Sequence, residues 1–307
     1  MKFYIVDAFT DQVFGGNPAG VVILDKGASF PQDEVMRKTA AELRYSETAF
    51  VRQISEKEFN IRYFTPATEV DLCGHATIGS FVALLSEGLV NSGLSYINDT
   101  LAGRLYISID DEYIMMDMGE PSSLGKIDKQ ESLEELYSVM GLNFKEASIT
   151  THIPELISTG LPDIMLPVQS RDDLAKINPD FPALSKLSER YNVVGVHAFV
   201  LGDKDITAYC RNFAPLYEIN EECATGTSNG SLTYYLYKNG MIKEGQTNTF
   251  LQGEAMGRPS RIISKLTINE NNIIAQNRDL KEEEKNNEIK IQVGGIGVIL
   301  ASGEIYI

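Results

Sequence analysis

The chain opens with short runs in which apolar and polar residues alternate. Ile5 to Phe9 and Val21 to Leu24 follow this two-residue period and predict strands. A helical period follows from Gln32 to Leu43, and another from Pro182 to Tyr191. Ile78 to Leu85 differs from both. It reads Ile-Gly-Ser-Phe-Val-Ala-Leu-Leu and is apolar on nearly every side, so as a helix it must be wrapped by other elements. Gly119 to Lys129, with Gly, Pro and Ser at its start, reads as a linker, and the charge run Lys281 to Lys285 as a solvated loop.

The pattern occurs twice. Arg62-Tyr63-Phe64-Thr65-Pro66 and Arg211-Asn212-Phe213-Ala214-Pro215 both read Arg-x-Phe-x-Pro. Ala49-Phe50-Val51 precedes the first and Ala198-Phe199-Val200 the second. Cys73-Gly74-His75-Ala76-Thr77 follows the first, and Cys223-Ala224-Thr225-Gly226-Thr227 the second. The offset is 149 residues from Ala49 to Ala198 and from Arg62 to Arg211, and 150 from Cys73 to Cys223. Further upstream, Gly16-Asn17-Pro18 faces Gly160-Leu161-Pro162. Ordered matches at a nearly constant offset point to an internal duplication. Two sheets, each curled around its own central helix, satisfy both the repeat and the apolar run.

Composition narrows the partners. With 307 residues, and roughly 150 per domain, two domains are expected. A net charge of -16 repels polyanions, which argues against nucleic acid. No run reaches the ~18 apolar residues of a membrane span, and no signal-peptide pattern opens the sequence. Three cysteines are too few and odd in number for a disulfide framework, which points to a reducing cytoplasm. No His/Cys cluster has zinc-ligand spacing, and no Walker or dinucleotide glycine motif is present, so neither a metal nor a cofactor is expected.

Candidate chemistry sits at the repeat. Gly74-His75-Ala76 and Ala224-Thr225-Gly226-Thr227 each fall where a helix begins. First-turn N–H groups lack intrahelical partners there, and the helix dipole favours an anion, so a carboxylate or phosphate fits. The plainer reading of either motif alone is a tight turn with a Thr cap. Cys73 and Cys223 precede these turns. A helix start can lower a thiol pKa, making each a base, a nucleophile or a small buried filler. Cys210, mid-strand, reads as filler. The repeat also isolates Glu47. It aligns with Val196 in a stretch (Val194, Val196, Ala198) that is apolar at every second position, one face of a strand. Burial there would raise the Glu47 pKa toward neutrality, suiting a general acid/base. Asp71, Glu221 and Glu222 are further carboxylates just before the helix starts.

Assembled, these residues resemble the phenazine-biosynthesis PhzF family, within the diaminopimelate-epimerase-like superfamily. The resemblance runs almost end to end. Asp7-Ala8-Phe9-Thr10 with Gly16-Asn17-Pro18-Ala19-Gly20-Val21 resembles the family's opening. Ser46-Glu47-Thr48-Ala49-Phe50 resembles the segment carrying its catalytic glutamate. Cys73-Gly74-His75-Ala76-Thr77 resembles its Gly-His motif, and Glu222-Cys223-Ala224-Thr225-Gly226-Thr227 its Asp-Pro-Ala-Thr-Gly-Ser motif.

The resemblance implies an α+β fold of two pseudo-repeated domains, each a mostly antiparallel β-roll or barrel around a central helix. The expected domains are residues 1–118 and 119–296, with a strand at about 297–307 returning to the first. It implies a site between the domains, no cofactor, a small carboxylate-bearing substrate and a homodimer. Glu47 becomes the acid/base, and Gly74, His75, Gly226 and Thr227 hold the substrate carboxylate, with Asn17 and Glu222 beside them. Two departures stand out: Glu222-Cys223 replaces Asp-Pro, and Thr227 replaces Ser. Cys223 restores the pattern of the epimerase and racemase branch, in which two cysteines flank the substrate carbon. Cys73 and Cys223 are therefore catalytic candidates beside Glu47. An isomerase or epimerase is the leading expectation. A lyase or dehydratase sharing the proton abstraction, or a non-catalytic binding protein on the same fold, are the alternatives.

Overall fold

The computed structural model describes residues 1–149, 151–271 and 286–307. The charge run at 281–285 lies outside them.

The first half runs β1 (Lys2–Ala8), β2 (Asn17–Ile23), α1 (Asp33–Leu43), β3 (Thr48–Gln53), β4 (Glu58–Phe64), β5 (Glu69–Val70), α2 (Gly74–Ser86), β6 (Leu94–Thr100), β7 (Gly103–Ile109) and β8 (Ile114–Asp117). Next come β9 (Ser122–Lys126), α3 (Gln130–Val139), α4 (Phe144–Ala147), β10 (Glu155–Ser158), β11 (Pro162–Pro167), α5 (Arg171–Lys176), α6 (Phe181–Tyr191), β12 (Gly195–Leu201) and β13 (Ala208–Ala214). The chain continues through β14 (Ile219–Glu222), α7 (Gly226–Lys238), β15 (Thr247–Gln252), β16 (Ser260–Asn271), β17 (Asn286–Gly295) and β18 (Gly297–Glu304).

The pairings repeat. β2 and β3 are parallel neighbours with α1 between them in sequence, and β11 and β12 are parallel neighbours with α5 and α6 between them. β4 pairs with β6 in parallel around α2, and β13 pairs with β15 in parallel around α7. The remaining pairings are antiparallel. β8 joins β17 across the halves. β18 returns to β1, matching Lys2 with Glu304, while β9 pairs with β10. The segment read as a linker from Gly119 to Lys129 therefore contains a strand. All five residues of β9 are exposed, so no buried alternation marks it, and its pairing comes from β10.

Nine of the thirteen residues of α2 are buried, and nine of thirteen in α7. The α2 core side chains are apolar: Ile78, Phe81, Ala83 and Leu84. Burying a residue such as Phe81 contributes ~1.5–3 kcal/mol. α7 is more polar, and its buried hydroxyls find partners either back along the helix or on the surrounding strands, as Ser228 does on Asp163. Thr233 donates to the Asn229 carbonyl at 2.8 Å, as Thr77 of α2 does to Cys73 at 2.7 Å. One apolar core surrounds both central helices, with Val6, Phe59 and Ile107 from one half and Phe199, Phe250 and Ile262 from the other. Behind the sheets the halves differ. α1 covers a small cluster around Met36, Phe50 and Phe64, whereas α3 to α6 cover a larger one around Leu136, Tyr137, Leu166 and Leu184.

Candidate active site

The two central helices start head to head. A methyl group added at Gly74 would meet the Cα of Gly226 at 3.8 Å and the Met116 side chain at 3.0 Å, so glycine permits this approach. The helix-preceding residues, Cys73 and Thr225, make no side-chain cap to their helices. Two positive dipole ends facing each other favour negative charge beside them, and two carboxylates, Glu47 and Glu222, stand there.

Glu47 lies just before β3, where its carbonyl accepts the Gly20 N–H at 3.3 Å. Its side chain is 14 % exposed, and Oε2 lies 3.2 Å from His75 Nε2. His75, in the first turn of α2, is buried. Cys73 Sγ stands 3.4 Å from its Nδ1, and Ser46 Oγ 3.3 Å from its Nε2. From the other half, Glu222 Oε1 reaches within 3.8 Å of Nδ1.

Asn17 ties the halves together. Its Nδ2 stands 3.1 Å from His75 Nδ1 and donates to Glu222 Oε1 and to the Ala224 carbonyl, each at 3.1 Å. The loop before it is clamped from β1 and from the second half. Asp7, buried, accepts from the Phe14 N–H at 2.9 Å and from Arg258 at 2.7 Å. Arg258 also donates to the Gly15 and Gly16 carbonyls, at 2.7 and 2.9 Å. The Cys223 thiol donates to the Gly16 carbonyl at 3.3 Å. Gln252 supports the second helix start, donating to the Glu222 carbonyl at 2.8 Å and accepting from Asn229 at 2.8 Å.

The charge states follow from these contacts. Burial pushes the Glu47 carboxyl up, but the close contact and charge of His75, with help from Ser46 and Cys73, outweigh it and hold the pKa below the usual range. This reverses the expectation of a raised Glu47 pKa, because a cationic partner arrives from α2. The raised carboxyl is Glu222 instead, pushed up to about 7 by burial and by Glu47, against the opposing pull of His75. Burial works against the charged form of His75, yet Cys73 and Glu47 raise its pKa well above the ordinary value. Neither thiol is lowered by its helix start. Burial, with the Glu47 charge, pushes Cys73 up to about 11, and burial with the Glu222 charge raises Cys223.

Of the sequence candidates, Asn17, Glu47, Cys73, His75 and Glu222 meet around one imidazole. Gly74 and Gly226 form the abutting helix starts, and Thr227 follows in the first turn of α7, half-buried. The cysteines are not equivalent. Cys73 directly precedes α2, whereas Cys223 lies two residues before the N-cap of α7. Asp71 is exposed, and Glu221 is engaged by Arg211 at 2.8 Å. Cys210 is buried in β13. Arg258 and Gln252 carry no sequence signal for the site. Each is a single polar residue on the second half's later strands and turns, and only the tertiary structure brings it here.

The sequence model of the phenazine biosynthesis-like protein family, PhzC-PhzF, matches residues 6–303. The chain belongs to the PhzF family. An uncharacterized isomerase of Clostridium acetobutylicum is 31% identical over 321 residues, covering 100% of this chain and 98% of the relative. The uncharacterized isomerase YddE of Salmonella typhimurium is 32% identical over 283 residues, covering 88% and 91%. A PhzF-family crystal structure from Bacillus anthracis superposes with a TM-score of 0.82 at 26% identity, covering 100% and 99%. A probable proline racemase from Agrobacterium radiobacter, at 13% identity and a TM-score of 0.59 over 100% of this chain and 93% of its own, shares the fold. The architecture is thus the diaminopimelate-epimerase-like α+β fold. Among the described residues, no helix is long and apolar enough to cross a membrane.

Proposed function

We propose that this protein is a cofactor-independent isomerase that moves a proton on a small, carboxylate-bearing, amino-acid-like molecule. The reading rests on the Glu47–His75 pair at 3.2 Å, facing the paired helix starts. The names of the isomerase relatives support the reaction class. The site lies between two domains, residues 1–118 with the returning strand and residues 119–296.

Glu47, ionised, takes the proton from a substrate C–H. The bond's electron pair moves into the substrate's conjugated carboxyl group, and the O–H forms on Glu47. The N–H groups at the starts of α2 and α7, with the His75 cation, stabilise the developing negative charge. Glu47 then returns the proton to the same carbon or to another. A low carboxyl pKa makes a weak base in the resting site. Substrate binding offsets this by displacing water from Glu47 and bringing a second negative charge, both of which raise its pKa. Gly74, His75, Gly226 and Thr227 hold the substrate carboxylate, and Asn17 and Glu222 hold its polar substituent.

The cysteine pair is the weaker base. Both thiols are raised, so at neutral pH they are S–H groups, and the Cys223 proton is already donated to Gly16. Incubating the protein with a panel of amino acids, hydroxy acids and unsaturated acids in deuterium oxide tests the reading. Carbon-bound deuterium should appear in one substrate class and persist after dialysis against a chelator. No wash-in across the panel, or wash-in lost with the chelator, overturns it. The same reading gives a cytoplasmic homodimer, and sedimentation at micromolar concentration checks the dimer.

A further inference from the structure

The donors around His75 have a second chemistry. Glu47 Oε2 lies 3.2 Å and Cys73 Sγ 3.8 Å from His75 Nε2. A carboxylate oxygen, a sulfur and a ring nitrogen from these three residues all lie within 4.8 Å of one another. In a tetrahedral site with metal–ligand bonds of ~2.0–2.3 Å, adjacent ligand atoms stand ~3.3–3.8 Å apart. Cys73 Sγ rests nearer to Nδ1, at 3.4 Å, so the thiol must swing toward the Nε2 side of the ring for the three donors to form one face of such a tetrahedron. A thiolate, an imidazole and a carboxylate make a mixed S, N, O set that suits zinc, and not the all-oxygen shells of calcium or magnesium. The donors are withdrawn from water, with Cys73 and His75 buried and the Glu47 side chain only 14 % exposed. On the far side of the ring, Asn17 Nδ2 is at 3.1 Å from Nδ1, and Glu222 Oε1 stands behind it at 3.8 Å, beyond hydrogen-bond range but near enough to attract the Nδ1–H of a metal-bound imidazole. Sequence spacing does not show the set, because Glu47 comes from the segment before β3 and the other two from the start of α2.

We propose that Glu47, Cys73 and His75 form a zinc site, with His75 bound through Nε2 and the fourth position left for water or another exogenous ligand. On binding, the Cys73 S–H and His75 Nε2–H protons leave to solvent, S–Zn, N–Zn and O–Zn bonds form, and no oxidation state changes. Zinc there occupies the group assigned above as the base, so it inhibits proton transfer. That inhibitory consequence rests on the isomerase reading, whereas the binding does not.

The full chain, stripped of metal, is titrated with cobalt chloride and then zinc chloride. One cobalt per chain should bind with a thiolate-to-metal charge-transfer band, and one equivalent of zinc should displace it. Cys73→Ser should abolish the band, Cys210→Ser should keep it, and Glu222→Gln should weaken zinc binding ~10–100-fold. Because Cys73→Ser could misfold, the wild-type protein is also alkylated and mapped by mass spectrometry. Zinc should slow modification of Cys73 at least ~10-fold, as expected of a metal-bound thiolate. No stoichiometric binding, a missing band, a band that survives Cys73→Ser, or unprotected Cys73 each overturns the site. Deuterium exchange with and without zinc separates the two claims. Exchange unaffected by bound zinc overturns the inhibition. A metal-free protein with no exchange counts against the isomerase reading, while the titration still decides the zinc site.

Discussion

Each half of the molecule buries a histidine, and the two are held in opposite charge states. His75 is 3% exposed and His197 0%. Burial works against the charged form of both. In His197, on β12, it wins and drives the pKa down to about 3, with only neutral amide partners such as Asn212, whose Nδ2 stands 3.1 Å from its Nδ1. In His75 burial loses to Cys73 and Glu47. The histidines are not repeat equivalents, since His75 aligns with Thr225 and His197 with Thr48, and their surroundings differ: His75 has Cys73 and Glu47 beside it, and Glu47 itself stands where the second half has the fully buried Val196. One duplicated scaffold thus holds a charged site in one half and neutral core in the other.

The sharpest way to break this comparison is to remove that carboxylate. Glu47→Gln should lower turnover ~10²–10⁴-fold, the usual worth of a placed acid/base. Cys73→Ser and Cys223→Ser should lose far less in the same deuterium wash-in assay. A dead Cys223→Ser beside an active Glu47→Gln would transfer the chemistry to the cysteine pair. A second contrast lies in the paired glycines before β2 and β11. Gly16 has φ +59°, and an added methyl would meet the Ala8 carbonyl oxygen at 2.1 Å, whereas Gly160 has φ +135° with open space. Both positions have positive φ, so both Ala variants carry ~1–3 kcal/mol of backbone strain, and Gly16→Ala, which adds the clash, should be the more destabilising in urea. Equal midpoints for the two variants would deny the clamp on the Asn17 loop.

Smaller effects sharpen the electrostatics. By NMR titration, His75 should hold its proton to higher pH than an ordinary imidazole in the wild type and lose it at lower pH in Glu47→Gln. His197 should stay neutral down to strongly acidic pH. A His75 titration unchanged by Glu47→Gln would rule out the carboxylate as its holder. The smallest effect concerns Glu222, whose folded pKa of about 7 exceeds the ordinary ~4.3. Between these values the folded state binds more protons than the unfolded one. The Glu222 contribution to stability is therefore fully present below pH ~4.3 and is lost as pH rises through about 7. Glu222→Gln should flatten this part of the denaturation profile, and an unchanged slope would contradict the raised carboxyl.

How much was legible in sequence follows from the reach of each interaction. The central helix α2 was visible because Ile78 to Leu85 is apolar all round, a local property. The duplication was visible in Arg62 and Arg211, and both Arg side chains do the same work. Arg62 forks Glu69 at 2.7 and 2.5 Å, and Arg211 forks Glu221 at 2.8 Å through both nitrogens. Glu47 stood out only against Val196. Its protonation tendency was misread because the partner that sets it, His75, lies 28 positions along the chain. Strand β9, read as a linker, has no buried face to impose alternation on Ser122-Ser123-Leu124-Gly125-Lys126. Arg258 acts across the interface between the halves and Gln252 within the second half, from β15 to the start of α7, and nothing next to either in sequence announces it.

The pairing of β1 with β18 has a consequence for how the protein is made. Lys2 finds its ladder neighbour at Glu304. At ~5–20 residues per second, a ribosome needs roughly 15–60 s to travel that distance. Throughout that time β1 carries one unpaired edge, a template for mispairing with other nascent chains. The half synthesised first is completed last, so its folding is paced by translation of the other half. Slower elongation through the second half would lengthen the exposure, and the demand on chaperones should rise with it.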